Sequence, residues 1–169
     1  MNILIGDIGN TITKICLVDF KTLKIKRIVY LKSSSISSGF KLRKKLKIIK
    51  KNKIFKISLF SSVVPKYFLL FKSFLKKNYK INLKKIKNKN INKNIKKNIK
   101  NKKQIGSDRI ANAIGVLKKY KSNCIVVDLG TATTFDVVTK FGVYNGGIIA
   151  PGVKLSLQSL VKTADQIPQ

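Results

Sequence analysis

Short apolar runs broken by glycine-centred polar turns set the rhythm of this chain, and the pattern occurs twice. Asn2 to Gly6 is an apolar run closed by glycine, Gly9-Asn10 marks a tight turn, and Ile12 to Val18 is apolar again. This predicts a hairpin. Leu23 to Leu31 alternates lysine with Leu, Ile and Val, the period of a half-buried third strand. Ser33 to Gly39 reads as a polar loop. Leu42, Leu46 and Ile49 place an amphipathic helix over Phe40 to Lys50. Lys56 to Val64 predicts a buried strand, and Pro65 opens a helix through Phe68, Phe71 and Leu75. Order returns at Ser107, an expected N-cap for a helix carrying Ile110, Ala113, Ile114 and Leu117 and ending near Lys119. Cys124 to Val127 predicts a buried strand, Thr134 to Thr139 the strand leaving the next turn, Ile148 to Ala150 a further strand, and Val153 to Val161 a helix. The fold class is therefore α/β, divided at 1–116 and 117–169.

Within the first domain, 84–103 holds 10 Lys, 6 Asn and 4 Ile and nothing else. Ile91, Ile95 and Ile99 fall four apart, as on one helix face, but the like charges around them oppose a helix. A mobile loop is expected, with an ordered loop on the substrate side as the competing reading. No aromatic residue interrupts the segment, which disfavours stacking on single-stranded nucleic acid.

Charge changes the picture less than its size suggests. The net charge is +31, yet Arg occurs only at positions 27, 43 and 109. Arginine is the residue suited to forked recognition of phosphates and bases. The lysine excess reads as compositional drift with solvated side chains, against a real nucleic-acid role; no specific nucleic-acid partner is expected. Cys16 and Cys124 lie in apolar runs and read as small buried hydrophobes of a reducing compartment. There is no His, so a metal would take oxygen ligands. Asp7 interrupts the N-terminal apolar run, Pro65 and Lys66 interrupt the most apolar stretch, and the expectation is a cytoplasmic chain with no secretory signal and no membrane partner.

The chemistry lies in the scarce acids. There is no Glu, and the six Asp are Asp7, Asp19, Asp108, Asp128, Asp136 and Asp165. Asp7 opens Asp7-Ile8-Gly9-Asn10-Thr11, and Asp128 opens Asp128-Leu129-Gly130-Thr131-Ala132-Thr133-Thr134. Two Asp-x-Gly-[Asn/Thr] hairpins suggest an ancestral duplication. Glycine lets backbone N–H groups approach phosphate oxygens, while Asn and Thr add hydrogen bonds. An aspartate meets phosphate only through a cation such as Mg²⁺. Asp108, in Gly106-Ser107-Asp108-Arg109, is either a first-turn Asp favoured by the helix dipole or a base for an attacking hydroxyl. Arg109 beside it suits an anionic acceptor.

These segments, with Ser61-Ser62-Val63-Val64-Pro65 and Gly146-Gly147-Ile148-Ile149-Ala150-Pro151-Gly152, resemble type III pantothenate kinases in order and spacing. The resemblance implies an actin-like (ribonuclease H-like) duplicated domain with a cleft between two related α/β domains, a homodimer, and transfer of the ATP γ-phosphoryl group to pantothenate, the first step of coenzyme A synthesis. It implies that Asp7, Ile8, Gly9, Asn10, Thr11, Ile12, Thr13 and Lys14 form a phosphate loop, with Asp7 facing Mg²⁺ through the phosphates. Gly106, Ser107, Asp108 and Arg109 would bind pantothenate, with Asp108 as base. Asp128 would hold a monovalent cation, K⁺ or NH4⁺, and Thr131 would contact ATP. Gly146 to Gly152 would lie near the dimer interface. Where the family shows a tyrosine and an acidic residue upstream of Gly106, this chain has Ile99 and Gln104. No counterpart is found for the family's later pantothenate-contacting threonine or its adenosine-side glycine loop, so the second domain is expected to be incomplete. The alternative is a non-catalytic actin-like nucleotide binder or a basic regulatory protein.

Overall fold

The computed structural model describes residues 1–36, 39–47, 57–86, 95–101 and 104–163. The chain divides into two compact units: Met1–Ile91 with Gly106–Asp108, and Asn92–Ile105 with Arg109–Gln169.

The first unit is built on a five-stranded sheet. β1 (Asn2–Ile8), β2 (Ile12–Asp19) and β3 (Ile25–Lys32) form an antiparallel meander. β4 (Ile57–Ser62) and β5 (Asn82–Lys85) add parallel to β1, giving the order β3-β2-β1-β4-β5. Helices α1 (Gly39–Lys45) and α2 (Pro65–Tyr79) pack on it through Leu42, Phe71, Phe74 and Leu75, with Leu46 just past α1 in the same core. The Phe60 and Phe71 rings meet with centroids 5.7 Å apart, and Gly6 leaves the room: a Cβ there would run into the Phe60 ring. α2 ends at Lys80, in left-handed backbone at φ 57°, with the Ile81 amide reaching back to the Leu75 carbonyl.

Two expectations for β3 shift here. β3 starts at Ile25 because Leu23 turns, at φ 56°, inside a bend organised by Asp19, whose Oδ1 accepts from the Lys21 and Thr22 amides. As an edge strand, β3 buries only Leu31. Helix α1 stops at Lys45, and its predicted continuation through 48–50, like Lys56 before β4, lies outside the described residues.

The second unit carries a four-stranded sheet ordered β6-β9-β8-β7. β7 (Cys124–Leu129), β8 (Ala132–Val138) and β9 (Val143–Pro151) repeat the antiparallel meander, and β6 (Lys96–Lys97) adds parallel to β9. The lysine-rich segment thus supplies strand at Lys84–Lys85 and Lys96–Lys97, and Ile95 and Ile99 flank a strand rather than line a helix. Positions 87–94 and 102–103 of that loop reading lie outside the described residues. Helix α3 (Ser107–Tyr120) opens in the first unit and continues in the second, where Ile110 and Ala113 are buried. Helix α4 (Val153–Thr163) follows β9.

β7 is not the buried strand its continuous apolar run suggests. Side chains alternate across a sheet, and the register sets Ile125 opposite Val137, Val127 opposite Phe135, and Phe135 opposite Ile148. All of these are exposed, Ile125 by 70% and Ile148 by 69%. Among the described residues nothing covers that face, and no residue of α4 is buried. Cys16 and Cys124 are unpaired and half-buried; burial pushes the Cys16 thiol up, with Lys14 opposing. No helix among the described residues is long and apolar enough to cross a membrane.

Candidate functional site

In the first unit, the loop from Gly9 to Ile12 joins β1 to β2. Ile8 pairs with Thr13 and Asp7 with Lys14, so the acid and the base of the motif stand opposite one another at the mouth of the hairpin. The Gly9 amide donates to the Ile12 carbonyl at 3.1 Å, and a Cβ on Gly9 would sit 2.8 Å from that oxygen; glycine permits the turn. Asn10, Thr11, Ile12 and Lys14 are exposed, Asp7 is half-buried, and Ile8 and Thr13 are fully buried. Ile8 and Thr13 therefore shape the loop from beneath, and their side chains do not face solvent.

Thr13 reaches instead to Ser33, just past β3, a position the polar pattern marks only as loop. Thr13 Oγ1 lies 2.9 Å from Ser33 Oγ, Ser33 Oγ donates to the Gly9 carbonyl at 2.7 Å, and the Ser33 amide donates to the Thr11 carbonyl at 2.9 Å. A hydroxyl carries one proton. Since that of Ser33 goes to a carbonyl, the Thr13 hydroxyl donates to Ser33.

The turn that carries Asp108 is held by serines. Ser107 is the first residue of α3, and its hydroxyl serves the end of β4 rather than capping the helix. Ser107 Oγ accepts from the Ser62 amide at 2.8 Å, donates to the Ser62 carbonyl at 3.0 Å, and lies 3.1 Å from Ser61 Oγ, which must then be the donor. All three serines are buried. The Ser61-Ser62 motif thus seats the Asp108-bearing turn. Asp108 folds back over Gly106, where any Cβ would fall on its Oδ1. That Oδ1 is buried with no hydrogen-bond partner among the described residues. A shielded carboxylate oxygen lacking a donor is an acceptor in waiting.

In the second unit, Arg109 is turned to Asp136. Its Nε donates to Asp136 Oδ1 at 2.8 Å, Nη2 makes an ion-pair contact to the same oxygen at 2.6 Å, and the Tyr144 hydroxyl also donates there. Asp136 is fully buried and the Arg109 side chain is 13% exposed. Gly147, opposite Asp136 in the β8–β9 ladder, makes room: a Cβ there would overlap the Phe135 carbonyl and lie 2.8 Å from Arg109 Nη2. Gly146 sits at φ +93°, a conformation that favours glycine.

The second loop is one residue tighter than the first. Leu129 pairs with Thr133, and the Gly130 amide donates to the Ala132 carbonyl at 3.1 Å. The Gly152 amide, just past β9, donates to the Thr131 carbonyl at 3.2 Å, and a Cβ on Gly152 would collide with the Gly130 and Thr131 oxygens. Asp128 is exposed, and its Oδ2 accepts from Asn112 of α3 at 2.9 Å. Thr134, its partner across the ladder, has a buried Oγ1 without a hydrogen-bond partner among the described residues. Carboxylate and hydroxyl oxygens fit a hard cation. Among the described residues no three His, Cys, Asp or Glu side chains cluster. Ser33, Asn112, Asp136 and Tyr144 escape a motif reading because each acts through a neighbour distant in sequence.

A family model described as type III pantothenate kinase matches residues 3–169. A curated type III pantothenate kinase from Pelagibacter ubique is 52% identical over 167 residues, covering 99% of this chain. One from Desulfosudis oleivorans is 38% identical over 112 residues, covering 66% of it. These matches span 66% and 44% of the relatives' own lengths, less than two thirds in each case. Among solved structures, the ethanolamine utilization protein EutJ from Carboxydothermus hydrogenoformans aligns over 99% of this chain and 58% of its own, with a TM-score of 0.55 at 12% identity. Likeness at that identity speaks to fold, which is the actin-like α/β architecture expected from the sequence.

Proposed function

The chain belongs to the type III pantothenate kinase family, and from that premise we propose that it transfers the γ-phosphoryl group of ATP to the primary hydroxyl of pantothenate. The carrying observation is the Asp108 carboxylate, whose Oδ1 is buried without a partner on a turn seated by Ser61, Ser62 and Ser107. An acceptor hydroxyl placed there would donate to Oδ1, be aligned by it, and lose its proton to it as the new bond forms. Gly106 and Ser107 shape the acceptor site. Arg109 supplies positive charge for the pantothenate carboxylate, with Asp136 and Tyr144 fixing the plane of its guanidinium.

The phosphates belong to residues 7–14, whose turn offers the backbone amides of Asn10 and Ile12, with Lys14 adding charge; Thr131 is a further ATP contact. Asp7 would serve Mg²⁺ through the phosphates. Asp128, with Thr134 Oγ1, supplies the oxygens for a monovalent cation, K⁺ or NH4⁺. When bound, these cations would offset the charge of the polyphosphate and orient it. The two units correspond to the two related domains of the fold. A homodimer, in which the Gly146–Gly152 segment takes part, and a cytoplasmic location complete the reading.

The test is product formation. With ATP, Mg²⁺ and K⁺, the full chain is expected to make phosphopantothenate, and Asp108→Asn to lower the rate by about 10²–10⁴-fold. ATP binding without product would leave the non-catalytic nucleotide binder as the better reading.

A further inference from the structure

We propose that Ser33 is the positioning residue of the first loop, which it holds so that the amides of Asn10 and Ile12 are presented to phosphate oxygens. The proposal rests on the phosphoryl-transfer reading above and assigns to a residue outside the motif the setting of its donors.

The argument is peptide geometry. In a trans peptide, the carbonyl of one residue and the N–H of the next point in opposite directions. Among the described peptide bonds, none is cis. The Gly9 carbonyl points to Ser33 Oγ, so the Asn10 N–H points away from Ser33. The Thr11 carbonyl points to the Ser33 amide, so the Ile12 N–H also points away from it. Without the latch, either peptide could flip and turn an oxygen toward an anion, replacing attraction by repulsion. Ser33 is itself immobilised: it is fully buried and accepts from the equally buried Thr13 hydroxyl. Ser35, two residues on in the same short turn, donates to the Lys32 carbonyl and takes no part in the latch.

Tripolyphosphate is the probe, because it engages the phosphate contacts without a base or a sugar. Binding to the full chain is measured by calorimetry at about 0.3 M salt, where attraction by exposed lysines is largely screened. Ser33→Ala is expected to weaken tripolyphosphate binding about tenfold, the effect of losing one oriented contact to a charged group. Adenosine binding should not change. Ser33→Thr, which keeps the hydroxyl, should restore tripolyphosphate binding, and Ser35→Ala should match wild type. Equal tripolyphosphate affinities for wild type and Ser33→Ala would overturn the proposal. If the wild-type chain does not bind tripolyphosphate, the phosphate reading of the loop fails. The latch is then decided by the carbonyl carbon NMR shift of Gly9, whose bond to the Ser33 hydroxyl is the one that Ser33→Ala removes: movement keeps the positioning role, and an unchanged shift removes it.

Discussion

Asp136 shows what a single buried charge demands. It is fully buried, and its Oδ1 accepts the Arg109 Nε–H and the Tyr144 hydroxyl. Removing one partner of such a pair leaves an uncompensated charge in a poorly solvated place, which costs about 3–5 kcal/mol. Asp136→Ala is therefore expected to destabilise the second unit by that amount in denaturant titration, whereas Tyr144→Phe, which removes one donor from an anion, should cost about 1–3 kcal/mol. Equal, small effects from both would mean that the ion pair is solvated. The motif containing Asp128 was legible in the sequence because Gly and Thr follow it. The role of Asp136 was not, because its partners come from another helix and another strand. Gly147 carried a visible signal, a glycine pair, but its purpose lies in the clearance it gives the Arg109 guanidinium.

At the level of elements, the β2–β3 bend offers a pH test. Asp19 accepts from Lys26 at 2.9 Å and from the Thr22 and Lys21 amides, and these hold its carboxyl far below the ordinary 3.8. A depressed folded-state pKa stabilises the fold above the unfolded-state value and loses that contribution as pH falls through the folded one. Asp19→Asn should therefore flatten the dependence of melting temperature on pH below about 4 and change little near neutrality, where the exposed pair contributes modestly. The same bend explains a misplaced strand start: alternation continues through Leu23, and only the competing hydrogen bonds of Asp19 reveal that the chain turns there. Helix α2 was legible from Pro65 and its apolar spacing. Ser107, by contrast, has the residue type of an N-cap but is committed to β4, because a serine hydroxyl answers whichever backbone group is nearest.

For the whole chain, the exposed sheet face of the second unit governs behaviour in solution. Ile125, Val127, Phe135, Val137 and Ile148 share that face, and Leu155, Leu157 and Leu160 are more than half exposed on α4. Contiguous exposed apolar surface promotes association. The chain is expected to bind a hydrophobic dye and to self-associate as concentration rises; Ile125→Thr with Val127→Thr should reduce both without lowering the melting temperature. Continuous apolar runs could not disclose this exposure, since they record which residues can be covered and not whether they are. The two meanders also show how a repeated plan diverges. Each turn has its threonine carbonyl tied down by an amide just beyond the third strand, Ser33 in one and Gly152 in the other. One fastening adds a hydroxyl, while the other excludes any side chain. The halves have thus become non-interchangeable parts: grafting serine into position 152 would break the very fastening it copies.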